Sequence, residues 1–237
     1  MEVILERDTG TEILSTQGWL ASVDPAFRTE LLSNAAWRHF ATGAQITLAG
    51  DEDGDLIGLA KGFISFHVSF GQPASPILHV APPVFWMGYR PIVSEQARIA
   101  TAVARSPVWC AAIPRRRVLA MLDAHPEWWR HFVALALSYG DTAALAGADL
   151  LIAETESRLI AVLLRFAGAR SEASDAGGMV SIPVTQQDLA GAANLSRNWT
   201  GTILRRLAKR GLVETKYNGI TLVDQGALQA ILEKVGA

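Results

Sequence analysis

The stretch IPVTQQDLAGAANLSRNWTGTILRRLAKRGLVETKYNGITLVD, residues 182–224, constrains this chain more than any other, because two helix signals, a tight turn and a hairpin signal follow one another without a gap. Thr185 is placed to cap a short helix running through Ala193, and Asn194-Leu195 then makes the turn. Ser196 caps a second helix that runs to about Arg210, where Gly211 stops it. Next, LVETKY, the pair Asn218-Gly219 and ITLV predict a two-stranded ribbon. Helix, turn, helix and hairpin in this order describe a winged helix-turn-helix whose second helix is the recognition element.

Counting along that second helix separates its faces. Thr200, Ile203, Leu204 and Leu207 fall at i, i+3, i+4 and i+7, a stripe expected to bury against Leu189 and Ala193 of the first helix. The opposite line, Asn198, Thr202, Arg205 and Lys209, is wholly polar and starts at a helix N-terminus, whose partial positive charge favours phosphate. Arg197 offers a planar fork to a guanine edge, and Asn198 the donor and acceptor that adenine needs. Thr185, Gln186 and Ser196 at the two helix starts join this DNA-contacting set, with Lys216 and Tyr217 of the wing as backbone contacts. A polar helix face alone would be read as solvated; the turn, the wing and the local charge decide otherwise. Residues 185–216 carry six cations against two acids, while residues 1–60 carry ten acids against three arginines, so the formal net charge of −2 conceals a polarised chain.

From about Trp37 to Pro114 the pattern changes to short strand-like runs broken by turns, among them QITLAG, LIGLAKG, FISFHVSFG and PILHVAPP. Ile64, Phe66, Val68 and Phe70 alternate with Ser65, His67 and Ser69, as a half-buried strand requires. Strands at this spacing suggest a jelly-roll or β-barrel, preceded by a helix around Pro25 to Ala36. A long helix begins near Pro126 and has two usable faces. Trp128, Phe132, Leu135, Tyr139 and Thr142 form one, suited to its own barrel domain; Val133, Ala136, Gly140 and Ala144 form a small-residue strip suited to a partner helix. A second helix over Glu154 to Phe166 and a small, polar connection, GARSEASDAGG, lead to the C-terminal segment.

The expected class is therefore α+β: an N-terminal jelly-roll sensor domain over residues 1–125, a dimerisation helix over 126–153 and a winged helix-turn-helix domain over 154–237. A chain of 237 residues, 50% hydrophobic and 19% charged, has a sizeable core available. Cys110 is its one cysteine, so no disulfide, Cys-rich zinc site or four-thiolate cluster forms within one chain, which fits a reducing cytoplasm. The start MEVILERDTG lacks a signal-peptide pattern. The most lipid-like segment, Phe132 to Ala153, contains Asp141 and Asp149, each costing about 2.5–3.5 kcal/mol near a bilayer centre, so it is read as a packed helix without membrane contact.

At TQQDLAGAANLSRNWTGTILRRLAKRGLVE the sequence resembles the Crp/Fnr family of bacterial transcription regulators, including the Ser-Arg start of their recognition helix. AHPEWWRHFVALAL is similar to the start of that family's dimer helix, and RIATAVARSPVWCAAIPRRRVLAMLDAHP to the end of its β-roll. The resemblance implies a homodimer on a palindromic double-stranded DNA site, with half-sites about 34 Å apart, RNA polymerase as a partner and a small-molecule effector. Cyclic-AMP-binding relatives follow a strand with Gly-Glu and place Arg-Ser some ten residues later. Here FWMGYRPIVSEQARIATAV keeps Gly88 and Arg98 but has Tyr89 and Ile99 in place of the glutamate and serine, and Ala143 and Ala144 stand where such relatives carry a hydroxyl pair. Gly88, Tyr89, Arg98 and Ile99 are thus an effector-pocket candidate set that does not suit cyclic AMP; Arg98 is equally an anion ligand or an ion-pair partner. In the family the position of Trp199 usually carries a small hydroxyl residue at a phosphate; the indole is expected to pack over the turn in preference to leaning on a sugar or thymine methyl.

Nothing in this pattern assigns a catalytic residue, metal or cofactor. His67, His79, His125 and His131 are haem-ligand candidates only by type. Two further readings compete. One is a ligand-sensing interaction module whose DNA reader has decayed, motivated by Trp199. The other is a cupin-like metalloenzyme, which needs clustered ligands where the barrel shows no His-x-His.

Overall fold

The computed structural model describes residues 2–52, 54–68, 77–170 and 178–234, with the side chains of residues 2–7 left aside. Three helices open the chain: α1 (Glu2–Thr16), α2 (Gly18–Ala21) and α3 (Pro25–Ser33). Strands β1 (Ala36–Phe40), β2 (Gln45–Thr47), β3 (Leu56–Lys61), β4 (Ile64–His67), β5 (Ile77–Ala81) and β6 (Phe85–Met87) follow. The short helix α4 (Arg90–Ser94) precedes β7 (Thr101–Ala104) and β8 (Val108–Ile113). After α5 (Arg115–Ala124) come the long α6 (Trp129–Leu151) and α7 (Thr155–Phe166). The C-terminal part holds β9 (Val180–Ile182), α8 (Gln186–Ala192), α9 (Arg197–Lys209), β10 (Val213–Lys216), β11 (Gly219–Leu222) and α10 (Gln225–Glu233).

The chain divides into two compact units, 1–68 with 82–140 and 69–81 with 141–237. In the first, β1, β8, β3 and β6 form one antiparallel sheet, and β2, β7 and β4 pair antiparallel in another. Ile57, Leu59, Ile64, Ala102, Ala104, Val108 and Cys110 fill the space inside the roll. Outside it, α2, α3 and the start of α6 clamp a buried aromatic cluster: Trp19 packs edge-on against Phe27, Trp86 and Phe132 at 5.4–5.7 Å, an arrangement that ring quadrupoles favour. Its indole N–H donates to the His131 carbonyl at 3.0 Å, fixing α2 to α6. Burial raises the pKa of the Cys110 thiol to about 12 against the opposing pull of Arg38, so this thiol is protonated and inert.

Two local expectations change. Strand β4 is not half-buried by alternation: Ser65 is as buried as Ile64, its hydroxyl satisfied by His67 Nε2 at 2.9 Å and the Val103 carbonyl at 3.4 Å. Polar residues in a roll go inside when such partners exist. Ser69 and Phe70 of that pattern, and residues 171–177 of the polar connection, lie outside the described residues. Helices α1, α2, α4, α5 and α10 are additions to the predicted set. No helix among the described residues is long and apolar enough to cross a membrane.

The second unit is organised by α7, buried along most of its length, which packs against α8, α9, α10 and β5. Asp149, near the end of α6, is completely buried here, and two arginines meet it. Arg165 Nε lies 2.9 Å from Oδ2, and Arg170 Nη1 bonds Oδ1. Arg165 Nη1 also reaches the Leu78 carbonyl at 3.3 Å and His79 Nδ1 at 3.4 Å, tying β5 to α7. Burial, and then the Arg165 charge, lower the His79 pKa from 6.5 to about 3, so the imidazole is neutral in the folded state. The unfolded chain therefore binds the extra proton below pH 6.5. The expected result is that stability holds above about pH 6.5 and declines as pH falls towards 3, by at most about 1.4 kcal/mol per unit, less where solvent screens the ring. Urea midpoints between pH 7 and 4 check this, with His79→Asn showing a flatter profile.

Candidate nucleic-acid interface and sensor cassette

Thr185 caps α8 in a reciprocal box: its hydroxyl accepts from the Asp188 N–H at 3.1 Å, and the Asp188 carboxylate accepts from the Thr185 N–H at 2.9 Å. The turn follows at Asn194, whose left-handed φ of 51° reverses the chain, and the Leu195 N–H closes on the Ala190 carbonyl at 2.9 Å. Ser196 then accepts the Trp199 N–H at 3.2 Å and starts α9. Thr200, Ile203, Leu204 and Leu207 are completely buried, as are Leu189 and Ala193 of the α8 segment. This apolar seam holds α9 so that Arg197, Asn198 and Arg205 are exposed.

Gln186, Arg197, Asn198, Gly201, Thr202 and Arg205 line one open groove of about 320 Å³. Gly201, a residue that costs a helix interior about 1 kcal/mol, borders this groove, where a Cβ would stand 3.0 Å from Oε1 at the end of the Gln186 side chain. The Thr202 hydroxyl bonds the Asn198 carbonyl at 3.1 Å and accepts from Arg205 Nη2 at 2.9 Å, which lays the arginine along the groove. Five of the predicted contact residues thus come together. Thr185 and Ser196 shape the two helix starts through their caps, and Lys216 is exposed on the wing, apart from this lining. The hairpin turn is Tyr217-Asn218, one residue earlier than predicted, because Lys216 pairs with Gly219. Strand β9, also unpredicted, adds a third strand through the Ile182–Ile220 pairing.

The Trp199 indole reaches the start of α7. Its N–H donates to the Thr155 hydroxyl at 2.9 Å, and the Arg206 guanidinium lies 5.3 Å from the ring centre.

In the first unit, Arg98 is buried with its guanidinium in a slot between two glycines. A Cβ on Gly54 would overlap that guanidinium, and one on Gly88, whose φ is 92°, would overlap the Asp55 carbonyl. Arg98 Nη2 donates to this same carbonyl, while its backbone pairs with Gly50 at 2.8 Å and Asp51 at 2.9 Å. Burial lowers the Arg98 pKa, and Asp51 and Asp55 counteract that by favouring its charge. Tyr89 is half-buried, 5.3 Å from the ring of Tyr139, whose hydroxyl accepts the Trp86 N–H at 3.0 Å and donates to the Trp86 carbonyl. Ile99 is 52% exposed. The structure therefore joins Gly88 to Arg98 and Tyr89 to α6, and leaves Ile99 at the surface. His67 bonds Ser65 and His79 meets Arg165; among the described residues no three His, Cys, Asp or Glu side chains gather into a set able to hold a metal ion.

Comparison with known proteins matches both parts. The family model for the cyclic nucleotide-binding domain covers residues 37–125, and that for the Crp-like helix-turn-helix domain covers residues 157–231. No curated protein matches the chain significantly by sequence. Among solved structures, a candidate cyclic nucleotide-binding protein from Ruegeria pomeroyi aligns at a TM-score of 0.68 and 17% identity over 96% of this chain and 98% of its own. A CRP/FNR-family transcriptional regulator from Thermus thermophilus aligns at 0.63 and 19% over 84% and 98%, respectively. The c-di-GMP-responsive global regulator CLP of Xanthomonas campestris aligns at 0.62 and 18% over 84% and 99%. With a cyclic nucleotide-binding-type β-roll, a long connecting helix and a Crp-like helix-turn-helix domain, the chain belongs to the Crp/Fnr family and has the architecture of its transcription regulators.

Proposed function

We propose that this protein is a homodimeric transcription regulator of the cytoplasm that binds a palindromic DNA site through α9 and answers to an effector other than cyclic AMP. The groove lined by Gln186, Arg197, Asn198, Thr202 and Arg205 carries the reading, since it presents fork-like donors and amides at the start of a 13-residue helix. Residues 1–125 act as sensor, 126–153 as the dimerisation helix and 154–237 as the DNA-binding domain. Homodimerisation is supported by an apolar line on α6: Val133, Leu137, Gly140, Ala144 and Leu151 are exposed, Leu137 by 65% and Leu151 by 85%, at the spacing of a coiled-coil seam. Covering such a leucine gains about 1.5–3 kcal/mol, which favours a second copy. Against cyclic AMP stands the Arg98 slot, where a phosphate would compete with the Asp55 carbonyl and approach Asp51 and Asp55.

The test is duplex binding by the purified protein across a salt series. A dimer contacting phosphates on two half-sites loses affinity steeply, with a log–log slope of about −0.9 per phosphate neutralised. Binding that is absent, or indifferent to salt, overturns the reading.

A further inference from the structure

Beyond its buried face and its groove face, α9 has a third, lateral face formed by Trp199, Arg206 and Arg210, seven and four residues apart. Trp199 is 40% exposed yet anchored, because its N–H donates to Thr155 at 2.9 Å and Arg206 covers its ring at 5.3 Å. Arg210, at the helix C-cap, bonds Glu156 at 2.8 Å. Thr155 and Glu156 are the first two residues of α7, whose N-cap Glu154 accepts the Glu156 N–H at 3.0 Å. The lateral face is thus fastened to a capped helix start only a few residues beyond the end of α6.

We propose that Trp199 is a positioning residue that sets the rotation of the recognition helix, and hence the sequence it reads, through its bond to Thr155. The inference rests on the DNA-binding reading above. The apolar seam of Ile203, Leu204 and Leu207 holds α9 close, but its attraction is non-directional and fixes the rotation of the helix less sharply than a hydrogen bond does. Base-reading forks tolerate little: productive geometry is held within roughly 10–20°. A rigid indole whose single donor meets a hydroxyl acceptor adds a directional restraint at the reading end of α9, where Arg210 and Glu156 supply one only at its far end. The same ring keeps Arg206 on the lateral side, so the groove is read by Arg197, Asn198 and Arg205 without a fourth competing fork.

The experiment uses the full chain, a duplex enriched by the wild-type protein from a random pool and a scrambled duplex of equal length. Trp199→Phe keeps the ring and its contact with Arg206 but removes the donor; Thr155→Val removes the acceptor at nearly constant shape. Each is expected to weaken binding to the enriched duplex about 10- to 100-fold, as for loss of one hydrogen bond in each protomer of the dimer. Affinity for the scrambled duplex should stay unchanged, and the urea midpoint should fall by no more than the loss of one hydrogen bond allows. The double variant should be no weaker than the weaker single, because both remove one bond, and re-selection with Trp199→Phe should return a broader consensus. Additive losses, or a Thr155→Val protein indistinguishable from wild type, overturn the brace; if Trp199→Phe alone then loses the enriched duplex, the indole itself touches DNA. A wild-type protein that binds no duplex in a salt-dependent way overturns the DNA-binding reading and the brace with it.

Discussion

Asp149→Ala is expected to destabilise the C-terminal unit by about 3–5 kcal/mol, the range for breaking a buried ion pair from one side. Asp149 is fully buried and serves both Arg165 and Arg170; Arg165 is itself buried. A guanidinium keeps its proton at neutral pH, so Arg165 cannot escape the loss by becoming neutral. The cation would be left with the Leu78 carbonyl and the His79 ring, neither of which carries compensating charge. Unpaired, it would either draw water into the cluster or pull β5 away from α7. Asp149→Asn, which keeps shape and one acceptor, should cost clearly less. The pair Asp149→Leu with Arg165→Met should cost less than Asp149→Ala alone, because replacing a buried pair spares the desolvation that breaking it exposes. Chemical denaturation read separately for the two units checks this, since a chain with two compact units need not unfold in one step. A loss below about 1 kcal/mol for Asp149→Ala would show that solvent already shields the arginines.

That cluster also marks a limit of what residues reveal before they are folded. Asp149 reads, in sequence, only as a charge that argues against a membrane span; its partners lie 16 and 21 residues on, and the strand that joins them lies some 70 residues back. No local period reports a buried pair assembled from three segments. The recognition helix is the opposite case. Its cap at Ser196, its buried stripe and its polar line are all written at spacings of three, four and seven, and all four stripe residues are fully buried. Gly201 lies between these extremes: a glycine inside a strong helix signals close approach, but only the fold shows that Gln186 is what approaches. Trp199 is legible as unusual but not in its direction, since Thr155 lies 44 residues away and no turn geometry points to it. In the β-roll, Gly88 and Arg98 are legible as a pair, whereas the Asp55 carbonyl that holds Arg98 is a backbone atom with no sequence signature.

Arg197→Ala and Asn198→Ala are each expected to weaken binding to the enriched duplex by roughly 30-fold or more, because the dimer loses two bidentate base contacts of about 1–3 kcal/mol each. The geometry distinguishes these two from the other polar residues of α9. Both are exposed in its first turn and line the groove, where the helix N-terminus adds a favourable field for the DNA backbone. Arg206 and Arg210 are committed to Trp199 and Glu156, and Arg205 is steadied by Thr202, so α9 spends part of its charge on its own scaffold. Lys216 differs again: exposed on the wing and outside the groove lining, it is suited to phosphate rather than bases. Its replacement by alanine should weaken enriched and scrambled duplexes alike and make the salt slope shallower by about 0.9 for each protomer, about 1.8 for the dimer. Loss of Arg197 or Asn198 should fall mainly on the enriched duplex and relax the base preference at one position of each half-site. Binding measured on both duplexes across a salt series separates these outcomes. An Arg197→Ala protein that loses both duplexes equally would move that residue from the bases to the backbone, and leave Asn198 to carry the direct readout.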